Sequence, residues 1–269
     1  MFIKEHLMKK NILFLAIFVY IFMFVSCFGN SGTSGKLAAQ TRNNGIAAES
    51  DFTVSITDDN TSVITTRYKG DEKTVIIPEK IKGLPVIEVG GFSFNETVTN
   101  VVIPEGVTTI SDSAFAHCKN LQSVSLPTTL TNIGKGTFYN SGLSIFPDPW
   151  PKALTTIDGG SATLIGIFGH TKLRNVVIPE GVTKISACTF LSCEQLTSVS
   201  LPTTIKEIGD AAFENCPALT TVNIPETVKS IKFSSLNWSG FISAFTGSTK
   251  MNLTSRTRLI QLGHPDIWW

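Results

Sequence analysis

The sequence predicts a repeat solenoid, mainly β with short helical turns, built as a parallel strand stack with an N-terminal hairpin cap and a C-terminal helical cap. A 23-residue apolar pattern is the first observation: Ile110, Phe115, Cys118, Leu121, Val124, Leu126 and Pro127 are repeated by Ile185, Phe190, Cys193, Leu196, Val199, Leu201 and Pro202. Ile208, Phe213, Cys216, Leu219, Val222, Ile224 and Pro225 repeat it again. The second is a longer copy, in which residues 100–138 realign on 175–213 at an offset of 75 and share Val-Val-Ile-Pro-Glu-Gly-Val-Thr and Ser-Val-Ser-Leu-Pro-Thr-Thr. A fixed period of this size means that each repeat is one coil, able to bury its apolar side only against its neighbours. Function in such a chain comes from a surface and not from a single pocket.

Taken in order, residues 1–27 read as a signal peptide. Met8-Lys9-Lys10 precede an apolar run over 12–25 and then Ser26-Cys27, the layout of a bacterial leader ending in a lipidated cysteine. A permanent membrane helix is the competing reading, but a span needs about 18 or more apolar residues and this run is shorter. Phe24 stands three residues before Cys27, where the usual lipidation motif has Leu. The expectation is an exported lipoprotein held to a membrane through Cys27, on the outer membrane or cell surface, with the periplasmic face as the alternative. Residues 28–50, with Gly29-Asn30-Ser31-Gly32-Thr33-Ser34-Gly35, have the composition of a flexible tether.

Residues 51–74 predict the capping hairpin. Phe52, Val54 and Ile56 alternate with polar residues, Asp58-Asp59-Asn60 can turn, and Val63-Ile64-Thr65 returns. An end coil exposes apolar surface unless something covers it, which is the physical need for such a cap.

The solenoid is assigned to 75–251. Leu121-Gln122-Ser123-Val124-Ser125-Leu126 predicts a short strand, with aliphatic residues inward and small polar ones outward. Pro127 ends it, because proline lacks the amide donor that a continuing ladder needs, and Thr128-Thr129 turns the chain. The segments from Ile133 to Phe138 and from Ile208 to Phe213 then suggest a compact helical turn that delivers one ring per coil to the core. With strands about 4.8 Å apart, six or seven coils give a sheet roughly 30 Å long. The cap at 252–269 contains a closing helix from Thr254 to Leu262, with Leu259 and Leu262 free to dock, Gly263 ending it, and Trp268-Trp269 packed on the last coil.

The pattern I-G-x-x-A-F-x-x-C-x-x-L-x-x-V-x-L-P, nearly complete at 208–225, resembles the BspA-like leucine-rich repeats of the 23-residue treponemal type. The resemblance covers roughly 75–251. It implies a leucine-rich repeat protein of the kind found in bacterial surface antigens, exported or surface-attached, with roles in adhesion to host proteins or other cells. It implies a binding module and not an enzyme.

The residues themselves point the same way. Without residues 1–26 the chain keeps 19 basic and 20 acidic residues, so it carries no basic footprint for nucleic acid. Cys118, Cys193 and Cys216 share one column with Ser141, Thr171 and Ser248, which predicts a small packed position. Export permits a disulfide between Cys193 and Cys216, but parallel stacking does not supply bridge geometry. No Cys-x-x-Cys or His-x-x-x-His pair marks a metal site, and no cofactor is expected. Gly134-Lys135-Gly136-Thr137 lacks the spacing of a phosphate loop, and His117 and His170 fall in exposed turns. Glu105 and Glu180 recur only because Pro-Glu-Gly turns recur. No acid, base or nucleophile converges.

Two surfaces are candidates for binding a protein or cell-surface ligand. One is the outward strand face, with Gln122, Ser123, Ser125, Arg174, Asn175, Thr197, Ser198, Ser200, Thr220, Thr221 and Asn223 as a nearly uncharged array of hydroxyls and amides. A strand face also needs polar residues simply for solubility. The other is the irregular centre: Phe146-Pro147-Asp148-Pro149-Trp150-Pro151 interrupts a strand, and the next segment, from Ile157 to Phe168, is longer than its counterparts. Trp150, Ile165 and Ile167 are expected to add an apolar patch to that loop, because insertions in repeats emerge as loops, often on the binding face.

Overall fold

The computed structural model describes residues 45–157, 166–228, 230–231, 233–237 and 240–262, all within one compact unit spanning 42–269. The leader, Cys27, the tether up to residue 44, Ile165, Gly263 and the terminal Trp268-Trp269 lie outside the described residues. Eighteen strands and one α-helix are described. In chain order they begin β1 Phe52–Ile56, β2 Val63–Tyr68, β3 Thr74–Ile76, β4 Lys80–Ile81, β5 Leu84–Val89, β6 Asn100–Val102, β7 Thr109–Ile110, β8 Ser123–Ser125 and β9 Asn132–Ile133. They continue β10 Thr156–Ile157, β11 Asn175–Val177, β12 Lys184–Ile185, β13 Ser198–Ser200, β14 Glu207–Ile208 and β15 Thr221–Asn223. β16 Ser230–Ile231, β17 Phe233–Asn237, β18 Gly240–Ser243 and helix α1 Leu253–Gln261 complete the chain.

The architecture is the expected parallel solenoid, with two short strands per coil. The outer strand is the x-Val-x segment of the repeat; its valine enters the core and its two flanking residues face out. These strands pair in parallel as β3–β6–β8 and as β11–β13–β15, each in a register of equivalent residues, such as Ser198 opposite Thr221 and Asn175. The second strand, absent from the sequence expectation, is the polar-Ile pair of the Ile column. It forms β2–β5–β7–β9 and β10–β12–β14–β16.

The segment expected as a helical turn is instead a run of β-turns. Ala114, Ala116 and Cys118 donate their N–H groups back three residues, to Ser111, Ser113 and Phe115. The alternate N–H groups of Ser113, Phe115 and His117 donate at 2.8 Å to the carbonyls of Lys135, Thr137 and Tyr139 in the next coil. A helix would turn every N–H back along its own chain and leave neighbouring coils unjoined. The alternation is made by left-handed residues four apart, Ser113 (φ 55°) and His117 (φ 61°), repeated at Cys188 and Ser192 and at Ala211 and Asn215.

One phenylalanine per coil forms the spine. Phe92, Phe115, Phe138, Phe168, Phe190, Phe213 and Phe245 are fully buried, with successive ring centroids 5.0–5.6 Å apart and planes within 29° of parallel. We number the coils one to seven by these rings, each coil ending at its own phenylalanine. Offset stacking adds about 0.5–1.5 kcal/mol per pair beyond the area buried.

Both ends are closed. Strands β1 and β2 form the antiparallel hairpin, β2 joins the second ladder in parallel with β5, and Tyr68 stacks on Phe92 at 4.9 Å. At the other end α1 starts at the cap residue Asn252, whose side chain accepts the Ser255 N–H at 2.9 Å, and buries Leu259 against the last coil. The Ser255 hydroxyl accepts the Val222 N–H and donates to the Val222 carbonyl, each at 3.0 Å, so one side chain satisfies both backbone groups on the open edge of β15. A further antiparallel hairpin, β17–β18, emerges from coil seven and was not anticipated from the repeat.

Coil four corrects the expectation of an apolar loop patch. Trp150 is only 8% exposed and Ile167 1%; both belong to the core. Trp150 stacks on Phe146 at 5.5 Å and donates its indole N–H to the Leu154 carbonyl at 2.9 Å. The reason is legible in the register: Pro127 to Pro151 and Leu130 to Leu154 are both 24 residues, so Trp150-Pro151 is this coil's version of Leu126-Pro127. One extra residue shifts the frame, and the tryptophan takes the inward leucine position.

Candidate binding surface

The predicted outward residues lie where the strand alternation places them, but in two panels. Gln122, Ser123 and Ser125 sit on or beside β8; Arg174, Asn175, Thr197, Ser198, Ser200, Thr220, Thr221 and Asn223 sit along β11, β13 and β15. Between them runs residues 144–147 of coil four. Its Ser144 and Ile145 N–H groups each reach the Gln122 carbonyl at 3.2 Å, the same contact that Ser123 makes with Thr99. Ile145 therefore holds the place of Ser123. Among the described residues, no backbone hydrogen bond joins 144–147 to β11. On the other side, Pro147 has no N–H with which to extend the pairing back toward β8.

Much of the hydroxyl array is already engaged. Ser123 donates to Asn100 Oδ1 at 2.6 Å and Ser198 to Asn175 Oδ1 at 2.7 Å, coil to coil. The Thr197 hydroxyl donates to the Arg174 carbonyl at 2.9 Å, and that of Thr220 to the Thr197 carbonyl at 3.0 Å. Gln122, Ser125, Ser200 and Asn223 make no side-chain hydrogen bond among the described residues. Their polarity remains free for solvent or a partner.

The face also carries apolar side chains that the sequence reading did not single out. Val177 is 66% exposed and Ile145 60%, with Val102 at the threshold of exposure. Their signal was present in the register, since Val102 and Val177 occupy the position that Ser125 and Ser200 fill elsewhere.

The turns beside this face are locked coil to coil. Glu105 accepts the Thr128 N–H and hydroxyl, both at 2.9 Å, while the Gly106 N–H donates to Thr129 Oγ1 at 3.0 Å. Glu180 and Gly181 repeat the arrangement with Thr203 and Thr204. Gly106 and Gly181 have φ of 96° and 99°, which a side chain would resist. The backbone N–H of Thr128 holds the Glu105 carboxyl below its usual range, and that of Thr203 does the same for Glu180. These acids are structural fasteners and not paired catalytic groups.

The remaining candidates resolve similarly. Cys118, Cys193 and Cys216 donate their thiols to the carbonyls of Phe92, Phe168 and Phe190, one coil back, at 2.9, 3.1 and 3.3 Å. Ser248 does the same to Phe213 at 3.2 Å. In the same column Thr171 donates instead within its own turn, to the Phe168 carbonyl at 2.8 Å, and Ser141 accepts the Leu143 N–H at 3.4 Å. All four described cysteines are free thiols, Cys193 and Cys216 among them. Burial pushes the thiols of Cys118, Cys188 and Cys193 up to about 11, so they are protonated at neutral pH. Gly134 lies where an added Cβ would meet the Asp112 backbone nitrogen at 2.4 Å, which confirms a packing role. His117 and His170 are not isolated: His117 stacks flat on the exposed Phe94 at 4.5 Å, and both histidines lie edge-on to Tyr139. No cluster of metal-ligating side chains occurs among the described residues.

Short parallel strands stacked coil on coil around a single-ring spine define a leucine-rich repeat solenoid. The family model for the BspA type leucine rich repeat region matches in six copies over residues 73–161 and 165–257, and the chain belongs to that family. Among solved structures it is similar to the T. pallidum leucine-rich repeat protein, at 27% identity and a TM-score of 0.64, covering 81% of this chain and 95% of that one. It is also similar to a leucine-rich repeat protein from Bacteroides ovatus, at 25% identity and a TM-score of 0.56, covering 67% of this chain and 48% of that one. No curated protein matches the chain.

Proposed function

We propose that this is a non-enzymatic, envelope-anchored binding protein that presents its outer strand face to protein or cell-surface partners, with adhesion as its role. The observation that carries the reading is the face itself: seven stacked coils form a broad exposed wall whose free groups are amides, hydroxyls and a few aliphatics. Membership of a repeat family consistent with protein binding supports it. So does the leader ending at Cys27, followed by a tether-like segment. Among the described residues the acids that recur hold turns together and the cysteines are buried, which supports a non-catalytic reading.

The test is capture of partners by the purified protein from matrix proteins and from intact neighbouring bacteria. Saturable binding to at least one is expected, and its absence across all of them would sink the reading. Protease treatment of living cells decides the face of the membrane. Cleavage places the protein on the surface, whereas full protection favours the alternative of a periplasmic structural or assembly lipoprotein acting on bacterial partners.

A further inference from the structure

We infer that the partner received by this face is an acidic, extended peptide segment bearing aliphatic side chains, seated over coils four and five. The inference rests on the binding role proposed above and specifies its ligand.

Charge is the first argument. Across the outward positions of the outer strands in all seven coils the only ionisable side chains are Lys73 and Arg174, and both are cations. Arg174 is exposed and makes no side-chain contact among the described residues, and the exposed Lys172 stands two residues before it. Glu180, the acid that follows on the same coil, has both carboxylate oxygens bonded to Thr203 and is already committed. Two exposed acids border this region, Asp148 at the end of the coil-four segment and Glu194 ahead of the coil-six strand, but neither occupies an outward strand position. A wall with unpaired positive charge and no acid among its outward residues favours an acidic partner and repels a basic one.

Apolar exposure is the second. Ile145 and Val177 flank the seam where coil four fails to pair with β11, and they are among the most exposed large aliphatic side chains described. Coils three and six place serine at the equivalent positions, so the fold does not require an aliphatic side chain there. Leaving two of them largely in water forgoes burial that a bound apolar side chain would recover. The face is open beside coils four and five, which suits an extended chain: a segment of about ten residues in β geometry, centred there, reaches over the neighbouring coils as well.

The test is selection of phage-displayed random peptides of about ten residues on the full-length protein, followed by titration of the selected peptides. Enrichment of acidic sequences with Leu, Ile or Val is expected, with affinity that falls as salt rises. Arg174→Thr and Val177→Ser install the residues that coil six already carries, Thr197 and Ser200, so both variants fold, and each should weaken binding about tenfold. Neutral or basic winners, unchanged affinity in both variants, or binding to anionic lipid vesicles in preference to peptides would overturn the inference and leave the broader binding role standing. Failure to select any peptide also overturns it; only when no partner is captured either does the broader role fall with it.

Discussion

Coils two and three, with their near copies five and six, differ from coil four in what holds each to its neighbour. The regular pairs are joined at four places: outer ladder, second ladder, turn run and the Glu-Thr fastener. Coil four lacks a strand in the outer ladder, its β10 does not pair with β9, and Lys152-Ala153 stand where a fastener would be. Yet the spine passes through it undisturbed: Phe138 stacks on Phe168 at 5.5 Å, and the Phe138 N–H still donates to Ile167. The difference ranks the interactions. Ladder pairing and polar fasteners can be dropped from one coil, whereas the ring column and its turn run cannot.

The largest effect should therefore come from the spine. Phe190→Ala opens a cavity between two stacked rings in a fully buried column, and a loss of about 3–5 kcal/mol in urea unfolding is expected. A loss under about 1 kcal/mol would mean that the coils are held by their ladders, contrary to the ranking.

Next is the tryptophan that replaces a leucine in the irregular coil. Trp150→Ala should cost about 3 kcal/mol, and Trp150→Leu, which restores the repeat's own residue, appreciably less. Had Trp150 been part of a surface patch, both changes would lie within about 0.5 kcal/mol of the parent.

How much of this the sequence made legible follows the same division. Where residues obey the 23-step, the inward columns, the parallel ladder, the hairpin and the closing helix could all be read, because one face must be buried and periodicity says which. The turn run suggests a helix in the sequence because Ile133 to Phe138 shows spacing but not φ; only left-handed residues such as Ser113 and His117 reveal that alternate N–H groups leave the coil. The sequence points Trp150 outward because the proline cluster hides a register of 24. The outward array was visible as composition, but its engagement was not. Ser123 and Ser198 look free in the sequence and are spent on the asparagine one coil back.

An intermediate effect is expected at the C-terminal end, where the open edge of β15 depends on a single hydroxyl. Ser255→Ala leaves the buried Val222 N–H and carbonyl without their partner, at a cost of about 1–3 kcal/mol. Amide exchange at Val222 should accelerate well before that at Val199, whose strand is paired on both sides. Equal protection at both sites would show that the cap stabilises by packing Leu259 alone.

The smallest effect belongs to the fasteners that coil four does without. Glu105 and Glu180 titrate below their ordinary value of 4.5 in the folded protein, mainly because the backbone N–H groups of Thr128 and Thr203 stabilise the ionised form. A carboxyl with a depressed folded pKa stabilises the fold fully above its unfolded value and loses that contribution as pH falls through the folded one. Both sites are open to solvent, so the contribution is small and screened. The Glu105→Gln, Glu180→Gln double variant should accordingly unfold slightly more easily than the parent at pH 7 and converge with it below the folded pKa values, as thermal midpoints across that range would record. A difference that persists unchanged in acid would assign the fastener to the shape of the Pro-Glu-Gly turn and not to its charge.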